Sequence, residues 1–273
     1  MLVALAVLIA AALTACGSSS HSDTASSAHG QTITDVAQRT SAGGTHADVA
    51  APKHRSSTAA PAPPPTVVAN VKRAVALRSA PGRAGHVLGT IKTHTAFGSA
   101  TAVPVVKRRG AWLGVISLLA GNGRLGWIPA SGTSLTSVRW RIYVSIDRQR
   151  ITVLYGNQVV KRYRTSTGVA GASTPTGHFA VTDRLLTGVQ HGPYGCCILA
   201  LSAIQPRHLS DWDGGDRIAI HATDDTAELG RPASHGCAHV SDADGRWLLT
   251  YIPDGTPVVI ADAPFHPARG SPA

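Results

Sequence analysis

One cysteine of this chain lies among residue types that activate a thiol. Cys237 follows Ser234, His235 and Gly236, and His221 precedes this group in an apolar run. A cysteine reacts as the thiolate, which a nearby imidazole or a cluster of backbone N–H groups stabilises. The glycine permits a tight turn whose amides can also hold an oxyanion. These residues predict a cysteine acyl-transfer site whose sulfur is ionised by a neighbouring imidazole and is open to a peptide carbonyl.

Two other interpretations of the same residues are weaker. Imidazole and thiolate are good Zn²⁺ ligands, but His221, His235, Cys237 and His239 are spaced more tightly than structural zinc ligands usually are. A lone buried structural cysteine is the ordinary role of a thiol, but the flanking histidines and glycine argue against it. We therefore expect neither a metal nor a cofactor.

The remaining cysteines are Cys16 and the adjacent pair Cys196 and Cys197. An adjacent pair can form a vicinal disulfide in an oxidising compartment. The sequence favours another interpretation, in which the pair are two small side chains, one facing inward and one outward, without a catalytic role. Cys237 is then the natural unpaired thiol.

Residues 138–262 must position these groups, and their pattern is mostly that of β-strands. Apolar runs separated by turn residues predict strands at 140–146, 150–155, 159–165, 198–201, 217–221 and 256–260. Only residues 242–251 have the pattern of a helix. The expected fold is a β-dominated sandwich with few short helices.

A second β-rich region, residues 67–136, contains nearly all of the excess positive charge. The whole chain has 25 Lys and Arg against 15 Asp and Glu, a net charge of +10. Residues 67–136 hold nine of the basic residues and none of the acidic ones, whereas residues 138–262 hold twelve of each. Five or six short strands in this segment predict a small β-barrel. We expect it to present Lys107, Arg108 and Arg109 on a hairpin tip as a docking surface for an anionic partner.

The first 66 residues show no pattern of a packed core. Residues 2–13 are an unbroken apolar run, too short to span a bilayer comfortably and typical of an export signal. Residues 17–66 are rich in Ser, Ala, Thr and Pro and predict a disordered tether. Residues 263–273 form a short tail. The composition of the whole chain, 43% apolar with 28 Gly and 17 Pro, excludes a coiled coil, a collagen-like rod and a polytopic membrane protein.

Three groups of motifs resemble known families. The run ending in Leu13-Thr14-Ala15-Cys16-Gly17 resembles a bacterial lipobox, which implies a signal peptide at residues 1–16 and a lipidated Cys16. Residues 67–136, with Gly110-x-Trp112-x-x-Val115 and Gly126-Trp127-Ile128, look like a bacterial SH3-like domain. Residues 138–262 resemble the L,D-transpeptidase catalytic domain of the YkuD family, through His221-x-Thr223, Gly230-Arg231-Pro232-x-Ser234-His235-Gly236-Cys237 and Thr174-Pro175-Thr176-Gly177-x-Phe179.

The YkuD resemblance implies a role for each site residue. Cys237 is the nucleophile, and His221 is the general base, oriented by the backbone carbonyl of Ala222. His235 lies near the oxyanion hole, which the amides of Gly236 and Cys237 form beside Ser234. The residues expected to bind substrate are Tyr194, Gly195, Arg231 and His239. The family more often has Gly at position 222 and Arg or Asn at position 239, so the role of His239 stays open.

The resemblance implies a peptidoglycan L,D-transpeptidase that joins the third residues of two stem peptides through a cysteine thioester. The same site would act as an L,D-carboxypeptidase if water attacked the thioester, and a wall-binding scaffold with an inactive site is the other alternative. The expected partners are stem peptides, anionic wall polymers at the basic module and the membrane at the lipid anchor, but not nucleic acid. The expected location is extracytoplasmic, at the bacterial cell membrane.

Overall fold

Short runs of Val, Ile and Leu form fifteen strands in the part of the chain that the structure describes. The computed structural model describes residues 62–188, 192–207 and 215–266. The first seven strands are β1 Thr66–Val71, β2 Val75–Arg78, β3 Val87–Ile91, β4 Ala102–Arg109, β5 Trp112–Ile116, β6 Leu125–Pro129 and β7 Thr133–Val138. The other eight are β8 Trp140–Ser145, β9 Arg150–Tyr155, β10 Gln158–Arg164, β11 Gly177–Leu186, β12 Cys197–Ile204, β13 Arg217–Thr223, β14 Ala238–Ser241 and β15 Pro257–Ala261. Within these ranges there is one α-helix, α1 Asp242–Tyr251, and there are short 3-10 turns at Leu118–Ala120, Ala130–Gly132 and Thr226–Glu228.

The first seven strands form one sheet in the order β3-β2-β6-β5-β4-β1-β7. Its pairs are antiparallel, and its core is apolar, with Leu77, Leu113 and Ile128 almost completely buried. Burying such side chains supplies most of the favourable free energy of folding. The assignment of this sheet to the SH3-like class stays a prediction.

The last eight strands form a second sheet in the order β10-β9-β8-β15-β11-β12-β13-β14. Two of its pairs, β15 with β8 and β13 with β14, are parallel, and the others are antiparallel. Phe179, Ile142 and Ile220 are almost fully buried in its core. The expectation of a mainly β fold is confirmed.

Helix α1 has the bounds that the sequence predicts. The hydroxyl of Ser241 accepts a hydrogen bond from the amide of Asp244, which caps the first turn of the helix. Leu248 is fully buried against the second sheet, and Gly245 lies 3.2 Å, measured from a Cβ built on it, from Cys197 Cβ. The helix therefore covers the strands that lead to the candidate site.

Three strands were not expected from the sequence. Strand β7 is mostly exposed and forms because its backbone pairs with β1 from Thr133 to Val138. Strand β11 interrupts its apolar pattern with polar residues such as Asp183, and β14 is only four residues long. In each case pairing with a neighbouring strand supplies what the local apolar pattern lacks.

Side chains of the first sheet bond to the second, and both sheets belong to one compact unit. The side chain of Asn122 donates to the carbonyl of Ile204 at 2.6 Å and accepts from its amide at 3.0 Å. The hydroxyl of Thr95 donates to the fully buried carboxylate of Asp183. Asn122 and Thr95 therefore join the two sheets.

The signal peptide at 1–16 with Cys16 lies outside the described residues, as do almost all of the tether at 17–66 and most of the tail at 263–273. In the described ranges, no helix has the length and apolarity to cross a membrane.

Candidate active site

Two neighbouring parallel strands hold the residues expected to do chemistry. His221 lies on β13 and His239 on β14, and the register of this pair places the two residues side by side. Cys237 immediately precedes β14. Because the main chain of both strands is tied into the sheet, the positions of these side chains are fixed by backbone hydrogen bonds.

The loop before β14 is held in one shape by Ser234 and Gln205. The buried hydroxyl of Ser234 donates to the carbonyl of Cys237 at 2.6 Å and accepts from the amide of Gly236 at 3.0 Å. The side-chain amide of Gln205 donates to the carbonyl of His235 at 2.9 Å. That bond with Ser234 occupies the Gly236 amide, which the sequence interpretation assigned to the oxyanion.

Position 236 admits only glycine. Its φ of +123° lies in a region that residues with a Cβ rarely adopt. A Cβ built there would lie 2.4 Å from the Gln205 side-chain nitrogen and 3.0 Å from Ile218 Cδ1. The glycine thus lets the loop pack tightly beneath the cysteine.

Cys237 stands at the wall of a cavity of about 130 Å³. Six of the predicted site residues line this cavity: Tyr194, His221, Ser234, His235, Cys237 and His239. The sulfur accepts a hydrogen bond from the amide of Ala219 at 3.4 Å, and the residue keeps partial exposure. Burial of the sulfur raises the pKa of Cys237 to about 11, and the Ala219 hydrogen bond only partly opposes this rise.

His221 is buried, and its ring orientation is set by the backbone. Its Nδ1 lies 2.8 Å from the carbonyl of Ala222, so Nδ1 carries the proton and donates. Burial and, to a lesser extent, the neighbouring His239 lower the pKa of His221 to about 3, although the hydrogen bond to the Ala222 carbonyl opposes the shift. At neutral pH the structure therefore holds a thiol and a neutral imidazole. This corrects the expectation of a sulfur already ionised by a neighbouring ring.

The Ala222 side chain fits because position 195 is glycine. Gly195 is buried with a φ of +52°, and a Cβ built on it would lie 2.6 Å from Ala222 Cβ. The preceding residue, Tyr194, packs edge-on against His221, with ring centroids 5.1 Å apart. Burial and the nearby Cys237 raise the pKa of Tyr194, so its hydroxyl stays protonated at neutral pH.

Two further residues at the site were not predicted from local patterns. The buried carboxylate of Glu228 accepts a hydrogen bond from Nδ1 of His239, and the His239 ring lies 4.2 Å from that of His221, centroid to centroid. Gln205, from a distant segment, holds the nucleophile loop in place through its hydrogen bond to the carbonyl of His235. Isolated polar residues in loops follow no periodic pattern, so only the fold shows what they contact.

The other predicted site residues occupy different places. His235 is exposed at the cavity, while Arg231 is exposed outside its lining. Cys196 and Cys197 form a disulfide, which corrects the expectation of two separate small side chains. The bond is compatible with both cysteines being buried against Ala222, where neither side chain needs to face solvent.

The histidines and the cysteine of the site are not arranged as a zinc-binding cluster. Within residues 62–188, 192–207 and 215–266, no group of three or more His, Cys, Asp and Glu residues is arranged to hold a metal ion. The Nδ1 atoms of His221 and His239 are instead used in hydrogen bonds to Ala222 and Glu228.

Comparison with known proteins identifies the family. The structure of Bdellovibrio bacteriovorus Bd1075 is 26% identical with a TM-score of 0.37, covering 46% of this chain and 48% of that one, so the chain spans about half of its length. An L,D-transpeptidase structure from Mycobacterium smegmatis is 17% identical with a TM-score of 0.37, covering 60% of this chain and 91% of that one. YkuD of Bacillus subtilis (strain 168) is 30% identical over 124 residues, which are 45% of this chain and 67% of that protein. The model of the YkuD L,D-transpeptidase catalytic domain matches residues 139–260. The chain belongs to the YkuD family of L,D-transpeptidase catalytic domains.

Proposed function

We propose that this chain is a peptidoglycan L,D-transpeptidase that works through a thioester on Cys237. Family membership supports an acyltransferase-type enzyme acting on peptidoglycan stem peptides. One observation carries the assignment to this site. Cys237 and His221 line the same cavity, and the Ala222 carbonyl fixes His221 with Nδ1 protonated. The remaining ring nitrogen of His221 is then the proton acceptor for the thiol.

The acylation step begins from the uncharged Cys237 thiol and the uncharged His221 imidazole. The thiol proton moves to Nε2 of His221 as the sulfur attacks the carbonyl of the third stem residue, whose centre is L. His221 then gives that proton to the departing amine of the terminal D-residue, and the C–N bond breaks. Because both groups rest uncharged in a desolvated cavity, proton transfer accompanies attack and does not precede it.

The tetrahedral oxyanion needs a donor close to the sulfur. The Gly236 amide is bonded to Ser234 in the resting loop, so we assign the first oxyanion contact to the amide of Cys237 itself. Tyr194 and His235, which line the cavity, are the groups placed to contact the stem peptide. Arg231 can contact only a substrate that extends beyond the cavity.

We also propose a binding role for the basic surface of the first sheet. Lys107, Arg108 and Arg109 are exposed on β4 and lead into a hairpin turn at Gly110, whose φ is +56°. We propose that this surface, as part of an SH3-like module, binds anionic wall polymers, and that a lipid on Cys16 anchors the protein outside the cytoplasm. Nucleic acid is not the proposed partner of this surface.

The direct test incubates the purified full chain with disaccharide-tetrapeptide fragments of peptidoglycan. The expected products are free D-alanine and a dimer joined between two third residues, and Cys237→Ala forms neither. Release of D-alanine with tripeptide as the sole product would make the protein an L,D-carboxypeptidase. Absence of all products from the unmodified chain would favour the wall-binding scaffold.

A further inference from the structure

Besides His221 and His235, the active-site cavity contains a third imidazole that the acylation step does not use. His239 lines the cavity beside Cys237, and its Nδ1 donates to the carboxylate of Glu228. The two side chains keep only 16% and 11% of their surface exposed, so the pair is largely shielded from water. Glu228 ends a 3-10 turn in the connection between β13 and β14, and the fold brings its carboxylate to this ring.

His221 and His239 have different hydrogen-bond partners and therefore different chemistry. The Nδ1 of His221 bonds to a neutral backbone carbonyl, whereas the Nδ1 of His239 bonds to a carboxylate. An imidazole bonded to a carboxylate is a stronger proton acceptor at its other nitrogen. With its ring centroid 4.2 Å from that of His221, His239 is close enough to act on the same acyl group.

The second half-reaction must deprotonate the incoming amine. The attacking group is the side-chain amine of a diamino acid, which is an ammonium ion at neutral pH and is not nucleophilic until it loses a proton. The carboxylate of Glu228, held against the His239 ring, attracts an ammonium ion and repels a carboxylate. The pair thus suits the incoming amine and does not suit the terminal carboxylate of the donor stem.

We propose that His239, held by Glu228, is the base that activates the acceptor amine and so favours cross-linking over hydrolysis. This inference rests on the proposed transpeptidase function. His239 is the catalytic residue of this step, and Glu228 is a positioning residue that acts through it.

Each proton that the acceptor ammonium loses has its own destination in this step. The acceptor ammonium gives one proton to Nε2 of His239, and its lone pair attacks the thioester carbonyl to form the new C–N bond. As the C–S bond breaks, the second amine proton passes through His221 to the sulfur of Cys237. His239 then releases its proton to water, which leaves an amide, a thiol and one proton in solution.

The test separates the two half-reactions. A carbapenem reports acylation alone, and tetrapeptide fragments report the ratio of cross-linked dimer to hydrolysed tripeptide. Glu228→Gln and His239→Asn should lower the dimer-to-tripeptide ratio about tenfold to a hundredfold, a loss larger than any change in acylation rate. Glu228→Asp, which keeps the carboxylate, should recover part of the ratio. Asp224→Asn, an exposed carboxylate near Glu228, is the matched control and should keep the unmodified ratio.

Rescue by added imidazole distinguishes a base from a structural side chain. His239→Ala should regain cross-linking when imidazole is supplied, because a free base can occupy the vacated space; this variant also decides the matter if Glu228→Gln fails to fold. An unchanged product ratio in His239→Asn, or His239→Ala without rescue, would overturn the inference while carbapenem acylation still supported the proposed function. Absence of carbapenem acylation in the unmodified chain would instead overturn the proposed function itself.

Discussion

The two sheets of this protein distribute their polar groups in opposite ways. In the first sheet the buried side chains are almost all apolar, with Ser117 as the one buried polar residue described there, and its basic residues lie toward solvent. The second sheet buries many polar groups, among them Asp183, Gln205, His221 and Glu228. Buried polar groups cost free energy unless they are hydrogen-bonded. Their concentration in the second sheet therefore indicates that the functional site lies there.

The comparison also shows how each sheet uses glycine. In the first sheet Gly98 has a φ of +87° but open space around the position of a Cβ. In the second sheet the positive φ of Gly236 coincides with a close approach of Gln205. The first glycine serves only a turn, whereas the second also brings the nucleophile loop into contact with the side chain that holds it.

The largest expected effect is therefore at Gly236. Gly236→Ala should lower the rate of carbapenem acylation at least about a hundredfold, because the loop must shift and misplace the sulfur. Gly98→Ala is the matched control, since its φ is also positive but nothing lies within 4 Å of a Cβ built on it, and it should acylate like the unmodified chain. The rates are measured by the time course of adduct formation. Equal rates for both variants would mean that the packing of this loop does not position Cys237.

A smaller effect is expected at the basic surface of the first sheet. Replacing Lys107, Arg108 and Arg109 with Ser should lower retention on isolated cell wall several-fold at low salt. The substitution removes the electrostatic attraction to anionic wall polymers, which salt screens least under these conditions. Acylation of a free carbapenem should stay at the unmodified rate. Substitution is a cleaner test than deletion of the sheet, since Asn122 and Thr95 bond to the second sheet. Retention that is unaltered by the substitution, or insensitive to salt, would remove this docking surface from the account.

A third effect concerns the pH dependence of stability. The pKa of His221 is lowered to about 3, so below its usual value of about 6.5 the unfolded chain binds a proton that the folded chain does not. The free energy of unfolding should therefore fall as the pH falls from 6.5 toward 3, by up to about 1.4 kcal/mol per pH unit from this group. His221→Asn should lose that part of the slope in urea unfolding between pH 6.5 and 4.5. Identical slopes for the two proteins would contradict the burial of a neutral imidazole.

Much of the fold and the centre of the site could be predicted from local sequence. Runs of Val, Ile and Leu locate most strands, and helix α1 follows from its pattern and its Ser241 cap. The motif around Cys237 and His221 identifies the two residues that share the cavity. These features depend on neighbours along the chain, which the sequence displays directly.

The remainder depends on contacts between distant segments. Gln205 and Glu228 are single polar residues whose partners are defined only after the strands assemble. Adjacent cysteines are compatible with a disulfide or with two thiols, so their spacing did not decide between the two. The neutral state of the Cys237 and His221 pair results from desolvation, which a motif does not reveal. Strand β7 exists because β1 offers it a partner and not because its own pattern is apolar.

The central claim is that the sulfur of Cys237 attacks an acyl group in this cavity. The most direct measurement is the intact mass of the full chain after incubation with a carbapenem. A single adduct should form on the unmodified chain and should be absent from Cys237→Ala. An unmodified chain that gains no mass, or a Cys237→Ala chain that gains the same mass, would contradict it.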